Sequence, residues 1–137
     1  MLQLILHLFG DYVTQSDWMA QNKTKESYPA LIHSLIYGVP FAMLAFYAPH
    51  PDLAMCIIIG SHFFIDRYGL ARYLVFAKNY FLSPRQSWKV LGIQKAWIVC
   101  RKTGYPMEEP GWLFVWLLIV VDNTLHLAIN YVALKWA

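Results

Sequence analysis

The chain has 137 residues, of which 58% are hydrophobic and only 14% charged, against roughly 25% charged in an ordinary soluble domain. One domain of this size has too little interior to hide so much apolar surface, so a freely soluble globule is excluded and lipid is the expected surrounding. The net charge of +3 is too modest to imply a nucleic-acid partner.

The first apolar stretch covers residues about 2–20. It has no basic start and carries His7 and Asp11 within it, so it reads as a first helix of the mature protein rather than a cleaved leader. The polar turn Gln21-Asn22-Lys23-Thr24-Lys25-Glu26 follows. The second span covers about 29–48 and ends at Pro49-His50-Pro51-Asp52, which breaks a helix. The third covers about 53–81 and turns amphipathic after Arg67, and the fourth, about 112–135, is the most apolar. Each is long enough to cross a hydrocarbon core of roughly 30 Å at about 1.5 Å per residue.

Between the third and fourth spans, residues about 84–103 alternate Trp88, Val90, Leu91, Ile93, Trp97 and Ile98 with Lys89, Lys95, Arg101 and Lys102. Ser83-Pro84 makes a plausible cap, and the mixture suits a helix lying in the membrane interface. The six Trp and nine Tyr fit the same boundary. The expected architecture is therefore all-α: one transmembrane domain, a four-helix bundle with an interfacial amphipathic helix before its last span.

Basic residues set the orientation. Lys23 and Lys25 occupy the first connection, and Arg85, Lys89, Lys95, Arg101 and Lys102 the third, whereas the second has no Lys or Arg. The positive-inside rule then places both termini outside the cytoplasm. Cys56 and Cys100 have no metal-type spacing and read as free thiols.

An aspartate at mid-membrane costs roughly 2.5–3.5 kcal/mol, so intramembrane ionisable groups imply function. His7, Asp11 and Gln15 recur every four residues; so do His62 and Asp66, and Asp122, His126 and Asn130. Such spacing puts them on one helix face. His33 and Tyr37 repeat the interval on the second helix. On this reading Asp11, His62, Asp66 and Asp122 lie near the bilayer middle, His7 and His126 nearer the outside, and His33 nearer the cytoplasm.

His7, Asp11, His33, His62, Asp66, Asp122 and His126 form the candidate metal-ligand set, with Tyr37 and Asn130 placed to orient ligands. Mixed nitrogen and oxygen donors suit one or two divalent transition ions, zinc first, with Mn, Fe and Ni compatible. Asp17, Gln15 and Arg67 are the candidates for catalysis: Asp17 as a general base, Gln15 on the ligand face, and Arg67 to steer an anionic headgroup or snorkel to the interface.

The strings His7-Leu-Phe-Gly-Asp11-Tyr-Val-Thr-Gln15-Ser-Asp17, His62-Phe-Phe-Ile-Asp66-Arg67 and Asp122-Asn-Thr-Leu-His126 resemble those of an uncharacterised family of small phage and bacterial membrane proteins, a domain of unknown function. In that family the last string more often begins Asp-Gln than Asp122-Asn123. The resemblance implies a phage or bacterial origin and no established activity. More distantly the chain is similar to membrane-bound metal-dependent hydrolases.

Three functions compete. A metal-dependent hydrolase would cleave a lipid or lipid-linked substrate entering from the bilayer. A proton or divalent-metal transporter would use the same His and Asp residues and, at this size, favour a homo-oligomer. A structural or phage lysis protein would need none of the His–Asp pairs.

Overall fold

A computed structural model describes residues 1–82, 87–90, 92–106 and 111–137, apart from the side chains of Ser87 and Trp88. The expected Ser83-Pro84 cap, Arg85, Leu91 and the Trp88 side chain lie outside the described residues. Those described are all-helical, without strands. They divide into two compact units, Met1–Gly69 with Thr124–Ala137, and Leu70–Asn123.

The first unit differs from the expected single helix over 2–20. Helix α1 (Leu2–Leu8) passes into a π-helical turn (Phe9–Val13), and α2 (Asp17–Asn22) is a separate short helix. The cause is local. Thr14 N–H bonds back five residues to the Phe9 carbonyl at 3.1 Å, and its hydroxyl takes the Gly10 carbonyl at 2.8 Å. Ser16 then adopts extended backbone and caps α2 by accepting from Met19 N–H. A hydroxyl that satisfies backbone groups offers the chain an alternative to continuing the helix.

Helices α3 (Ser27–Ala45) and α4 (Pro51–Tyr68) are joined by a short turn and pack against each other. Their contact near the turn is built from Ala45, Ala48 and Ala54, joined by Ala137, small residues that let backbones approach. Farther in, Tyr37, Phe41, Ile58 and Ala133 form a second buried cluster. Gly10 permits a close approach: a Cβ there would stand 2.8 Å from Tyr37 Cδ2. Gly69, at φ 58° and ψ 49°, ends α4 in the left-handed conformation, its N–H returning to the Ile65 and Asp66 carbonyls.

The expected third span over 53–81 is therefore interrupted at Gly69, and α5 (Leu70–Leu82) opens the second unit. There α6 (Ser87–Val90) and α7 (Ile93–Cys100) stand where one interfacial helix was expected. Trp97 stacks on Tyr73 with centroids 4.7 Å apart and meets Phe76 edge-on, over buried Ala96 and Cys100. Gly104, at φ 81°, fits against the Arg72 carbonyl and Val75, where no side chain has room. The last helix, α8 (Gly111–Trp136), belongs to the second unit up to Asn123 and to the first from Thr124.

Helices α3 and α8 are each long and apolar enough to cross a membrane. Taken as one span, α4 and α5 meet the same test, and Leu2–Val13 is apolar but shorter. In the first unit the polar pattern is inverted relative to a soluble protein. His7, Asp11, His33, His62, Asp66, His126 and Asn130 are buried, while Leu35, Val39 and Met43 on α3 face outward. Apolar outside and ionisable inside is the distribution expected of a bundle solvated by lipid.

Candidate metal centre

Four side chains from three segments of the first unit converge. Asp11 comes from the π-helical turn, His33 from α3, and His62 and Asp66 from successive turns of α4. All four are buried, and one donor atom from each lies within 4.8 Å of the others. His33 Nε2 is 3.1 Å from Asp11 Oδ1 and 3.2 Å from Asp66 Oδ2. His62 Nε2 is 3.2 Å from Asp66 Oδ2, 3.6 Å from Asp11 Oδ1 and 3.0 Å from His33 Nε2.

These separations can be compared with coordination geometry. Donors about 2.1 Å from a tetrahedral zinc lie roughly 3.4 Å from one another. The five separations above, 3.0 to 3.6 Å, bracket that edge. Hydrogen bonding accounts for the arrangement poorly. His33 Nε2 carries at most one proton, yet Asp11, Asp66, His62 and Lys23 all stand within 3.4 Å of it. Buried donor atoms gathered this closely, with more lone pairs than protons to share, are what a cation requires. This group can hold a metal ion.

The ring planes are held mainly by packing. Tyr37 stacks on His62 with centroids 3.7 Å apart and planes 14° apart. The Nδ1 atoms of His33 and His62 are buried without hydrogen-bond partners among the described residues. The Tyr37 hydroxyl instead bonds His7 Nδ1 at 2.8 Å and accepts from Asn130 Nδ2 at 2.6 Å. Gln3 ties α1 to α8 by donating to the Leu127 carbonyl.

The other residues singled out from the sequence fall at graded distances. His126 Nε2 is 3.5 Å from Asp66 Oδ1, and His7 Nε2 is 3.8 Å from Asp11 Oδ2; both border the four-residue group. His33 Nε2 meets the oxygens of both Asp11 and Asp66. Asp122 is half-buried on the portion of α8 in the second unit, one turn before His126 in sequence. Gln15 lies in the break before α2, half-buried, with Oε1 lacking a hydrogen-bond partner among the described residues. Asp17 is exposed, and both its oxygens accept from Gln21. Arg67 makes no ion pair with Asp66 among the described residues: at the exposed surface it donates to the Thr24 carbonyl at 3.0 Å and the Ser27 hydroxyl at 3.2 Å.

Sequence reasoning placed Lys23 in a polar turn and gave it only an orienting role. In the structure Lys23 Nζ is 2.8 Å from Asp66 Oδ2, 3.4 Å from His33 Nε2 and 3.8 Å from Asp11 Oδ1. No periodicity could have exposed this, because the lysine reaches the group from outside any long helix. The available signal was charge: two carboxylates within apolar stretches require compensation, and Lys23 is a cation adjoining the same segment.

The chain belongs to DUF3307, a family of proteins of unknown function, whose model matches residues 1–87. The match includes Asp11, His33, His62 and Asp66, and ends before the Asp122–His126 string. Comparison with curated proteins and with solved structures returns no match.

Proposed function

With a family that carries no activity as the premise, we propose that this chain is an integral membrane protein that holds a divalent transition metal between Asp11, His33, His62 and Asp66. The observation that carries the reading is the convergence of four buried donor atoms, five of whose separations run from 3.0 to 3.6 Å. Zinc fits first; Mn, Fe and Ni accept the same donors. The four apolar segments span the bilayer of a bacterial inner membrane, with the Lys23 turn on the cytoplasmic side and both termini outside.

The activity we assign to the site is hydrolysis of an ester or phosphoryl bond in a lipid or lipid-linked substrate that enters between helices. A bound metal would supply an activated water and polarise the substrate oxygen. A closed set of four ligands leaves no open position, so one carboxylate must yield its place. Asp11 is the candidate, because it sits in a π-helical turn, a feature frequent at functional sites. Once displaced it would serve as general base. Gln15 offers a buried oxygen with which to bind substrate or water.

Metal content of detergent-purified protein tests the reading, beside Asp66→Ala and His62→Ala. Stoichiometric metal in the wild type, lost in both folded variants, supports the centre and directs a screen of phospholipids and lipid-linked phosphates. Wild type that stays metal-free after resupply overturns it.

A second reading, transport, rests on the polar chain that continues beyond the four ligands through His7, Tyr37 and Asn130. It expects proton or metal flux into sealed vesicles without product chemistry.

A further inference from the structure

Two aspartates buried among apolar helices need a cation, and in this structure the cation is an ammonium. Lys23 Nζ contacts Asp66 at 2.8 Å and lies 3.8 Å from Asp11, with its side chain only 17% exposed. It leans over three of the four proposed ligand atoms, those of Asp11, His33 and Asp66. With the histidines neutral, two carboxylates and one ammonium leave the group one negative charge. A divalent ion would bring the same carboxylates to neutrality without the lysine.

The two cations cannot share the site at these distances. An ion placed between the four donors would stand within a few ångströms of Nζ, where like charges repel strongly in a medium of low dielectric. The lysine has somewhere to go. It belongs to the short turn between α2 and α3, its stem is flexible, and it adjoins exposed Thr24 and Lys25. The turn itself is pinned, since Arg67, next to Asp66 in sequence, holds the Thr24 carbonyl and the Ser27 hydroxyl. Arg67 keeps the lysine's backbone at the mouth of the group while the side chain can swing away from it.

We infer that Lys23 is a tethered counter-ion of the metal centre: it keeps Asp11 and Asp66 paired in the metal-free protein and is expelled when a divalent ion enters. The inference rests on the metal reading above and adds its control. Affinity for the ion is lowered by the need to displace the ammonium, and the released Lys23 becomes a mobile cation at the entrance.

Titration with Co(II), followed by its visible absorption in detergent, tests this on the full chain. Wild type, Lys23→Gln and Lys23→Arg are compared, with circular dichroism confirming helix content. Lys23→Gln should bind the ion about tenfold more tightly or better, since a competing charge is removed, and Lys23→Arg should stay near wild type. Acylation of Lys23, measured by mass spectrometry against exposed Lys25 as reference, should rise when the ion is added to wild type. Unchanged or weaker binding by Lys23→Gln overturns the inference and leaves the metal centre standing. Labelling of Lys23 that does not respond to the ion also overturns it. An absence of binding in wild type and both variants removes the metal reading, and the competition with it.

Discussion

His33 and His62 present their Nε2 atoms to each other at 3.0 Å, although one comes from the N-terminal half of α3 and the other from the C-terminal half of α4. Two imidazole nitrogens so placed can share one proton at most, and each also faces the oxygens of Asp11 and Asp66. The antiparallel pairing of α3 with α4 creates this meeting, and the metal proposal depends on it. His33→Ala should therefore cost as much bound metal as His62→Ala, whereas His7→Ala, which removes a bordering group, should retain most of it. Mass spectrometry of the purified variants measures the difference.

The Tyr37 hydroxyl separates support of the centre from its chemistry. Tyr37→Phe keeps the ring stacked on His62 but removes hydrogen bonds to His7 and Asn130. Loss of two buried bonds should lower stability by about 1–3 kcal/mol. Metal should remain bound, because no ligand atom is lost. Thermal unfolding in detergent, paired with metal analysis, checks both halves.

Gly10 is required by proximity. Gly10→Ala would drive a methyl group to 2.8 Å from Tyr37, and overpacking of this kind costs about 1–3 kcal/mol. At Gly60, in the middle of α4, an added methyl group would meet nothing within 4 Å. Gly60→Ala should be neutral or stabilise by about 0.5–1 kcal/mol through helix propensity. Opposite signs in parallel melts would support the close approach of the π-helical turn to α3.

Cys100 and Cys56 are both free thiols, the first buried and the second exposed. Burial pushes the Cys100 thiol up to about 11 from an ordinary 9.0. At pH 8 its thiolate fraction should be about a hundredfold below that of an unperturbed thiol. Alkylation should keep accelerating towards pH 11 instead of levelling near 9. The same shift favours the neutral folded form, so its stabilising contribution is intact below pH 9 and is lost as pH rises towards 11. A pH series of maleimide labelling, read at Cys100 by mass spectrometry, measures it.

Much was legible from the residues alone. Apolar runs determined the helical character and the expected membrane setting, because a chain this poor in charge cannot make a water-facing surface around so small an interior. The four-residue interval of His62 and Asp66 determined that they share a face of α4, since side chains at i and i+4 of any α-helix do. Local spacing of the same kind linked His7 with Asp11, although a π-helical turn begins between them.

Other features depended on contacts between segments that no local pattern encodes. The break at Thr14–Ser16 takes Gln15 off the helix, because hydroxyl-to-backbone bonds compete with helical ones. Which of the seven candidate ligands meet was decided by the packing of α3 and α4 and by the nearness of Gly10 to Tyr37. Lys23 was decided the same way. The periodicity of a helix specifies which side chains leave it together, but a lysine arriving from a turn is placed only when the turn is pinned, here by Arg67 on Thr24 and Ser27.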